Sequence, residues 1–292
     1  LDHPVNSGGL CPKGAASLQE LYHPDRVKSP LARSGPRGSG AWKEITWKEA
    51  LAMLADKIAH AGTGFAALTS ARAWDIQGEL LKSLAESVSK GNFHALGFPL
   101  SEFPSDAYEK MQGSRQVAFH ISRADLVAAF GFDWLQSHPS PVEAQRAFAQ
   151  LRRGSGRRRA RIIQIEPRFS TTAGKADRWI PVYPGKEGLV ALAVAKRLVA
   201  NGTYDKGFIQ GQTHGFEDFR KGLDALSLSD LSQATGVPEQ QLKLLTAELS
   251  GLRPAAAITN RGPLLTQLGV HALNALFGCI GKDSVFSGME SR

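Results

Sequence analysis

The chain has 292 residues, 42% hydrophobic and 21% charged, enough apolar material for a substantial core and too much for wholesale disorder. Its net charge is +8, but RRGSGRRRAR (152–161) supplies six arginines, and without them the net charge is +2. The basicity is local and comes without interleaved aromatic residues or a recognition helix, which argues against nucleic acid and for a solvated loop or a docking patch for an acidic partner. Two distant cysteines, 11 and 279, make no disulfide framework. The longest apolar run, GLVALAVA (188–195), is too short to span a bilayer, and Leu-Asp-His at the start lacks the marks of a signal peptide.

The first forty residues are rich in Gly, Pro and Ser, and HPVNSGG, YHPDR and SGPRGSG predict turns. Within them Asn6-Ser7-Gly8-Gly9-Leu10-Cys11-Pro12-Lys13-Gly14 forms a cradle around one cysteine. Glycines let amide groups approach a sulfur, and a nearby lysine favours the thiolate. The plain alternative for a lone cysteine is a small buried hydrophobe. Thr46 and Glu49 then form a capping-box pattern, predicting a helix from about Trp47 to Ala61 with Ala50, Leu51, Leu54 and Ile58 on one face.

GFAALTS, from Gly64, predicts a buried strand, followed by a helix from about Trp74 to Ser89. ADLVAAFGFDW predicts a strand at about Asp125 to Gly131, ending in a glycine. Ser140-Pro141-Val142-Glu143 is another capping-box pattern with Pro at the first helical position. ARIIQIEPR and WIPVY predict short strands, and PGKEG leads into a helix from about Glu187 to Ala200. A helix at 238–250, a strand at 255–260 and a helix at 266–278 complete the pattern. Buried strands alternating with helices predict an α/β fold, with parallel, Rossmann-like sheets covered by helices on both faces, preceded by the Gly/Pro-rich, cluster-type N-terminal segment. Ligands of such sheets sit at the C-terminal strand ends, here the loops 131–140, 166–177 and 260–266.

The stretch from HPVNSGGLCPKG to AWKEITWKEAL resembles the N-terminal region of the molybdopterin oxidoreductases, the dimethyl sulfoxide reductase family. ADLVAAFGFDW is similar to the family's strand ending in Gly-x-Asn, IEPRFSTTAGKADRWIPVYPGKEG to its Asp-Pro-Arg loop with Ala-Asp and Pro-Gly-Thr-Asp, and LNALFGCIGK to its LNALTGNIGK turn. The resemblance implies a Mo- or W-bis(pterin guanine dinucleotide) cofactor and a [4Fe-4S] cluster. It makes Cys11 the fourth cluster ligand, its partner cysteines expected upstream of Leu1, and Lys13 the electron relay between cluster and pterin. It places Asp133, Glu166, Arg168 and Glu187 at cofactor-binding positions. It also divides the chain into residues 1–45, a remnant of an iron–sulfur-type domain; 46–113, the first part of an α/β domain; 114–202, a Rossmann-like dinucleotide-binding-type domain; and 203–292, a return to the α/β domain ending before the family's C-terminal pterin domain.

Three departures weaken the cofactor expectation. Asp133 stands for the family's Asn, Glu166 for the Asp of Asp-Pro-Arg, and Glu187 for the guanine-reading Asp. Lengthening an acid moves its carboxylate by about one methylene, and Asp133 adds negative charge where a pyrophosphate would lie. The structural alternatives are Asp133 as a helix cap and Glu166 as the partner of Arg168. Between Lys90 and Arg123, where the family places its direct metal ligand, there is no cysteine. Ser101, Ser105 and Asp106 are donors without a ligand motif, and His94 and His120 are expected as loop or core histidines. No catalytic residue is assigned.

WLQSHPSPVEAQRAFAQLRR, from Trp134, particularly resembles the molybdoprotein-like large subunits of membrane quinone oxidoreductases of the menaquinone reductase and alternative complex III type. That branch implies a subunit without molybdenum that serves assembly and electron relay. It implies as partners an iron–sulfur protein subunit, an NrfD-like membrane subunit and a c-type cytochrome, with membrane contact only through them, at the periplasmic face of the bacterial inner membrane. The other expectation is a working Mo or W reductase of the polysulfide or thiosulfate type.

Overall fold

The computed structural model describes residues 3, 6–70, 76–96, 105–113, 117–153, 159–260, 262–281 and 286–288. The chain forms two compact units, residues 10–100 and residues 1–9 with 101–292.

The first unit begins with α1 (Pro12–Leu21), a helix the turn-rich sequence does not announce. Cys11 is its N-cap and Pro12 its first residue, where the missing N–H costs nothing. A hairpin of β1 (Leu31–Arg33) and β2 (Trp42–Glu44) follows, antiparallel with Ala32 opposite Lys43. α2 (Trp47–Ala61) forms as its capping box predicts: Thr46 Oγ1 accepts from Glu49 N at 3.2 Å, and Glu49 Oε2 accepts from Thr46 N at 2.8 Å. Its apolar face is exposed, with Leu51 at 58% and Leu54 at 55%. β3 (Ala67–Ser70), α3 (Ile76–Val88) and β4 (Phe93–Leu96) make a βαβ unit with parallel strands.

The second unit contains α4 (Ser105–Gln112), β5 (Val117–Phe119), β6 (Leu126–Phe130), α5 (Trp134–Ser137), α6 (Pro141–Arg153), β7 (Arg161–Ile165) and β8 (Arg178–Ile180). Then come α7 (Glu187–Ala200), α8 (Lys206–Gln212), α9 (Phe216–Asp224), α10 (Leu228–Thr235), α11 (Glu239–Gly251), β9 (Ala255–Thr259), α12 (Leu264–Leu276) and β10 (Phe286–Gly288). The four-stranded sheet runs β8-β7-β6-β9, every pair parallel, with Ala128 between Ile163 and Ala257. β5 and β10 pair separately and antiparallel.

Strand alternation divides the core into two layers. Leu126, Ala128, Phe130, Ile163, Ile165, Ala255 and Ala257 face α7, α11 and α12. Val127, Ala129, Ile162, Ala256 and Ile258 pack with Ala144 and Leu151 of α6. Helices thus cover both faces, and each fully buried aliphatic side chain contributes about 2 kcal/mol. α7 and α12 approach closely through glycines: a Cβ on Gly188 would lie 2.8 Å from Thr266 N and Cα.

In chain order the sheet begins at β6, extends one way through β7 and β8, and returns to β6's other side with β9. The order therefore reverses between β6 and β9. In open α/β sheets this switch point leaves a crevice beyond the C-terminal strand ends.

Candidate functional site

At the end of β6, Gly131 takes φ +65°, a conformation open to glycine, and donates to Ile165 O at 2.8 Å. A Cβ there would sit 3.5 Å from Cγ and Cδ of Glu187, so the first side chain of α7 lies against the end of the central strand. Thr259 Oγ1 donates to Phe130 O at 2.8 Å and ties the end of β9 to that of β6. Beyond β9, Gln267 Nε2 donates to Gly262 O at 2.7 Å and props the loop leading into α12.

Two sides of this crevice differ in how far their polar groups are satisfied. On one, Asp133 is only 7% exposed, and its Oδ1 accepts from both Thr172 N (3.0 Å) and Thr172 Oγ1 (2.7 Å). Thr172 Oγ1 in turn accepts from Leu135 N at 3.1 Å. Asp133 Oδ2 meets the exposed Arg168 guanidinium at 3.4 Å. Glu166, also buried, accepts from Ser170 N at 3.3 Å through Oε1. The loops after β6 and β7 are stapled together.

On the other side, Glu187 is 6% exposed, and its carboxylate has no hydrogen bond or ion pair among the described residues. Thr266 Oγ1 and Gln267 Oε1 are buried and likewise lack a hydrogen-bond partner there. α7 and α12 start beside one another with Lys186 and Pro263 at their N-cap positions, neither giving a side-chain cap. Buried acceptors without donors are costly, and together with uncapped helix starts they suit a ligand that brings N–H groups.

Asp133, Glu166, Arg168 and Glu187 thus all lie at the C-terminal ends of the strands. Their pairings differ from the structural alternatives. Asp133 occupies the N-cap position of α5 without a side-chain cap bond, because Thr172 takes its carboxylate. Arg168 meets Asp133 rather than Glu166. Thr172, Thr266 and Gln267 escape a sequence reading. Thr266 and Gln267 signal themselves only as polar residues on the buried side of an amphipathic helix.

Cys11 and Lys13 belong to the other unit. Cys11 is half-buried, its Sγ accepts from Gly14 N at 3.4 Å, and Lys13 is exposed one residue into α1. Cys279 is a buried packing residue whose Sγ accepts from Ala255 N at 3.3 Å. Among the described residues no three His, Cys, Asp or Glu side chains gather to hold a metal. His94 is exposed on β4, neither a loop nor a core position, and His120 is half-buried ahead of β6; Ser101 lies outside the described residues, as do the side chains of Ser105 and Asp106. A separate cleft of about 740 Å³ opens between α4, α8, α9 and α12, walled by Phe208, Phe216 and Phe219, and none of the predicted site residues line it.

A parallel sheet covered by helices on both faces, with a switch-point crevice at its C-terminal strand ends, defines an α/β protein of the doubly wound class. Residues 26–277 match the family model described as molybdopterin oxidoreductase, and the chain belongs to that family. It is 29% identical to the menaquinone reductase molybdopterin-binding-like subunit of Nitratidesulfovibrio vulgaris, over 97% of this chain and 40% of that protein. It is 26% identical to the arsenate respiratory reductase molybdopterin-containing subunit of Shewanella sp., over 98% of this chain and 38% of that one. The thiosulfate reductase molybdopterin-containing subunit of Salmonella typhimurium is 24% identical, over 96% and 37%. The chain therefore spans about two fifths of the length of the curated relatives it matches. Acetylene hydratase from Pelobacter acetylenicus shares the fold, with TM-score 0.66 and 19% identity over 94% of this chain and 39% of that one. Among the described residues no helix is long and apolar enough to cross a membrane.

Proposed function

We propose that the chain is a large-subunit portion of a membrane-associated respiratory oxidoreductase in quinone-linked electron transfer, serving assembly and electron relay without molybdenum. The observation that carries this reading is the Asp133 carboxylate. It stands where the family resemblance places an asparagine facing the dinucleotide, and it is consumed by Thr172 and Arg168. A negative charge locked at that edge opposes a pyrophosphate. The absence of cysteine between Lys90 and Arg123 agrees, since a catalytic metal needs an ordered first ligand. In this reading Cys11 is the cluster ligand supplied by this chain, its sulfur already facing the Gly14 N–H, with Lys13 beside it as relay. The partners are an iron–sulfur subunit, an NrfD-like membrane subunit and a c-type cytochrome, at the periplasmic face. The name of the menaquinone reductase relative supports this choice. Metal and pterin analysis of the protein tests it: the expectation is no stoichiometric Mo or W, and a full complement of either with extractable pterin ends it.

The second reading, a loaded Mo or W reductase, is favoured by Glu187, Thr266 Oγ1 and Gln267 Oε1. These acceptors fit the N–H-bearing edge of a guanine-type base, so this side of the crevice matches the nucleotide end of the family's cofactor. When bound, that group supplies two-electron redox chemistry at its metal. The chain's own residues would hold and orient the base and keep water from it. The metal analysis separates the two readings.

A further inference from the structure

The edge of the sheet opposite the crevice is built from arginines. Arg161 and Arg178 are the first residues of β7 and β8, and both reach Glu248 of α11, at 3.4 Å and 2.6 Å. Arg152 and Arg159 both reach Asp177, at 2.8 Å and 2.9 Å. Asp177 also accepts from Ile162 N at 2.8 Å, which binds the two clusters into one belt around the starts of β7 and β8. Four guanidinium groups therefore share two carboxylates. Asp125, at the start of β6, is engaged as well. Arg153 is exposed and makes no ion pair among the described residues. The belt keeps a surplus of positive charge, much of it accessible: the Arg159 side chain is 61% exposed and that of Arg161 43%.

We propose that this arginine belt is a docking face for an acidic protein surface. Charge complementarity argues for it: Asp177 and Glu248 are each already engaged by two guanidinium groups, which leaves guanidinium capacity for carboxylates from outside. The geometry is that of carboxylate recognition, with guanidinium groups fixed by buried or shared acids. Nucleic acid would call for stacking residues among the arginines. The exposed aromatic side chains described in this unit, Phe169 and Tyr183, follow β7 and β8 at the other end of the strands.

The test is binding of a fluorescent peptide of alternating glutamate and serine to the purified chain at low salt, followed by anisotropy. Arg153→Gln with Arg159→Gln should weaken binding about tenfold, whereas Lys57→Gln with Lys206→Gln, matched in net charge, should change it less than about twofold. Equal losses in both pairs, or no peptide binding, would overturn the proposal. So would tighter binding of duplex DNA or phosphatidylserine vesicles through the same arginines. If circular dichroism shows the Arg159 variant unfolded, Arg153→Gln alone is paired with hydrogen exchange. Peptide-induced protection at 159–163 and 175–180 supports the belt, and protection elsewhere refutes it.

Discussion

One oxygen of Asp133 accepts both the N–H and the O–H of Thr172, a residue 39 positions further along the chain. That double bond of contacts makes Thr172 the keystone of the two loops above β6 and β7. Thr172→Val keeps the shape but leaves the Asp133 oxygen and the Leu135 N–H short of a partner, and should cost about 2 kcal/mol. Asp133→Asn keeps an acceptor for Thr172 and gives up only the 3.4 Å contact with exposed Arg168, at a cost below about 1 kcal/mol. Urea denaturation of both variants checks the order.

Glu187 is a buried carboxylate without a hydrogen bond or ion pair among the described residues. Glu187→Gln should therefore raise stability in the absence of ligand, by about 1 kcal/mol, because a buried charge is replaced by a neutral amide. Thermal melting reads this directly, and a variant less stable than the parent would overturn it.

The contact between α7 and α12 leaves no room for a methyl group at residue 188. Gly188→Ala drives a Cβ to 2.8 Å from the Thr266 backbone, which cannot swing aside as a flexible side chain could. The expected cost is about 1–3 kcal/mol. Gly211→Ala, with open space around it, is the control and should be close to neutral on the same melting curve.

Burial lowers the His271 pKa to about 4, so the folded chain keeps this ring neutral. Unfolded, it protonates near its ordinary value, so the unfolded state binds more protons between pH about 4 and 6.5. Stability contributed by the neutral ring is complete above pH about 6.5 and falls by about 3 kcal/mol as the pH drops to about 4. His271→Phe keeps an aromatic ring against Tyr108 and should remove this part of the pH dependence in chemical denaturation.

The sheet was legible because β6, β7 and β9 are short apolar runs punctuated by Gly131, Glu166-Pro167 and the Arg253-Pro254 start. Helix α7 was legible from the PGKEG turn. Helix α1 was not, because it buries no residue and so leaves no stripe to read, and because a cysteine is an unusual cap. The short helices α8 and α10 announce themselves only by their caps, Asp205 and Ser227. In the site, glycine and acid positions followed from local motifs. The partners Thr172, Thr266 and Gln267 did not, since they are set by loops and helices that meet only after folding.

The sheet order also has a kinetic meaning. β7 reaches β6 after one helix, whereas β9 arrives only after residues 181–254 have been made and packed. The central strand therefore waits for its second neighbour, with one edge open throughout that interval, and such distant pairing is slow. The crevice needs both α7 and α12, so Glu187 can meet Thr266 and Gln267 only after the chain has been made through α12. During synthesis, those three acceptors come together late, because Thr266 stands 79 positions after Glu187.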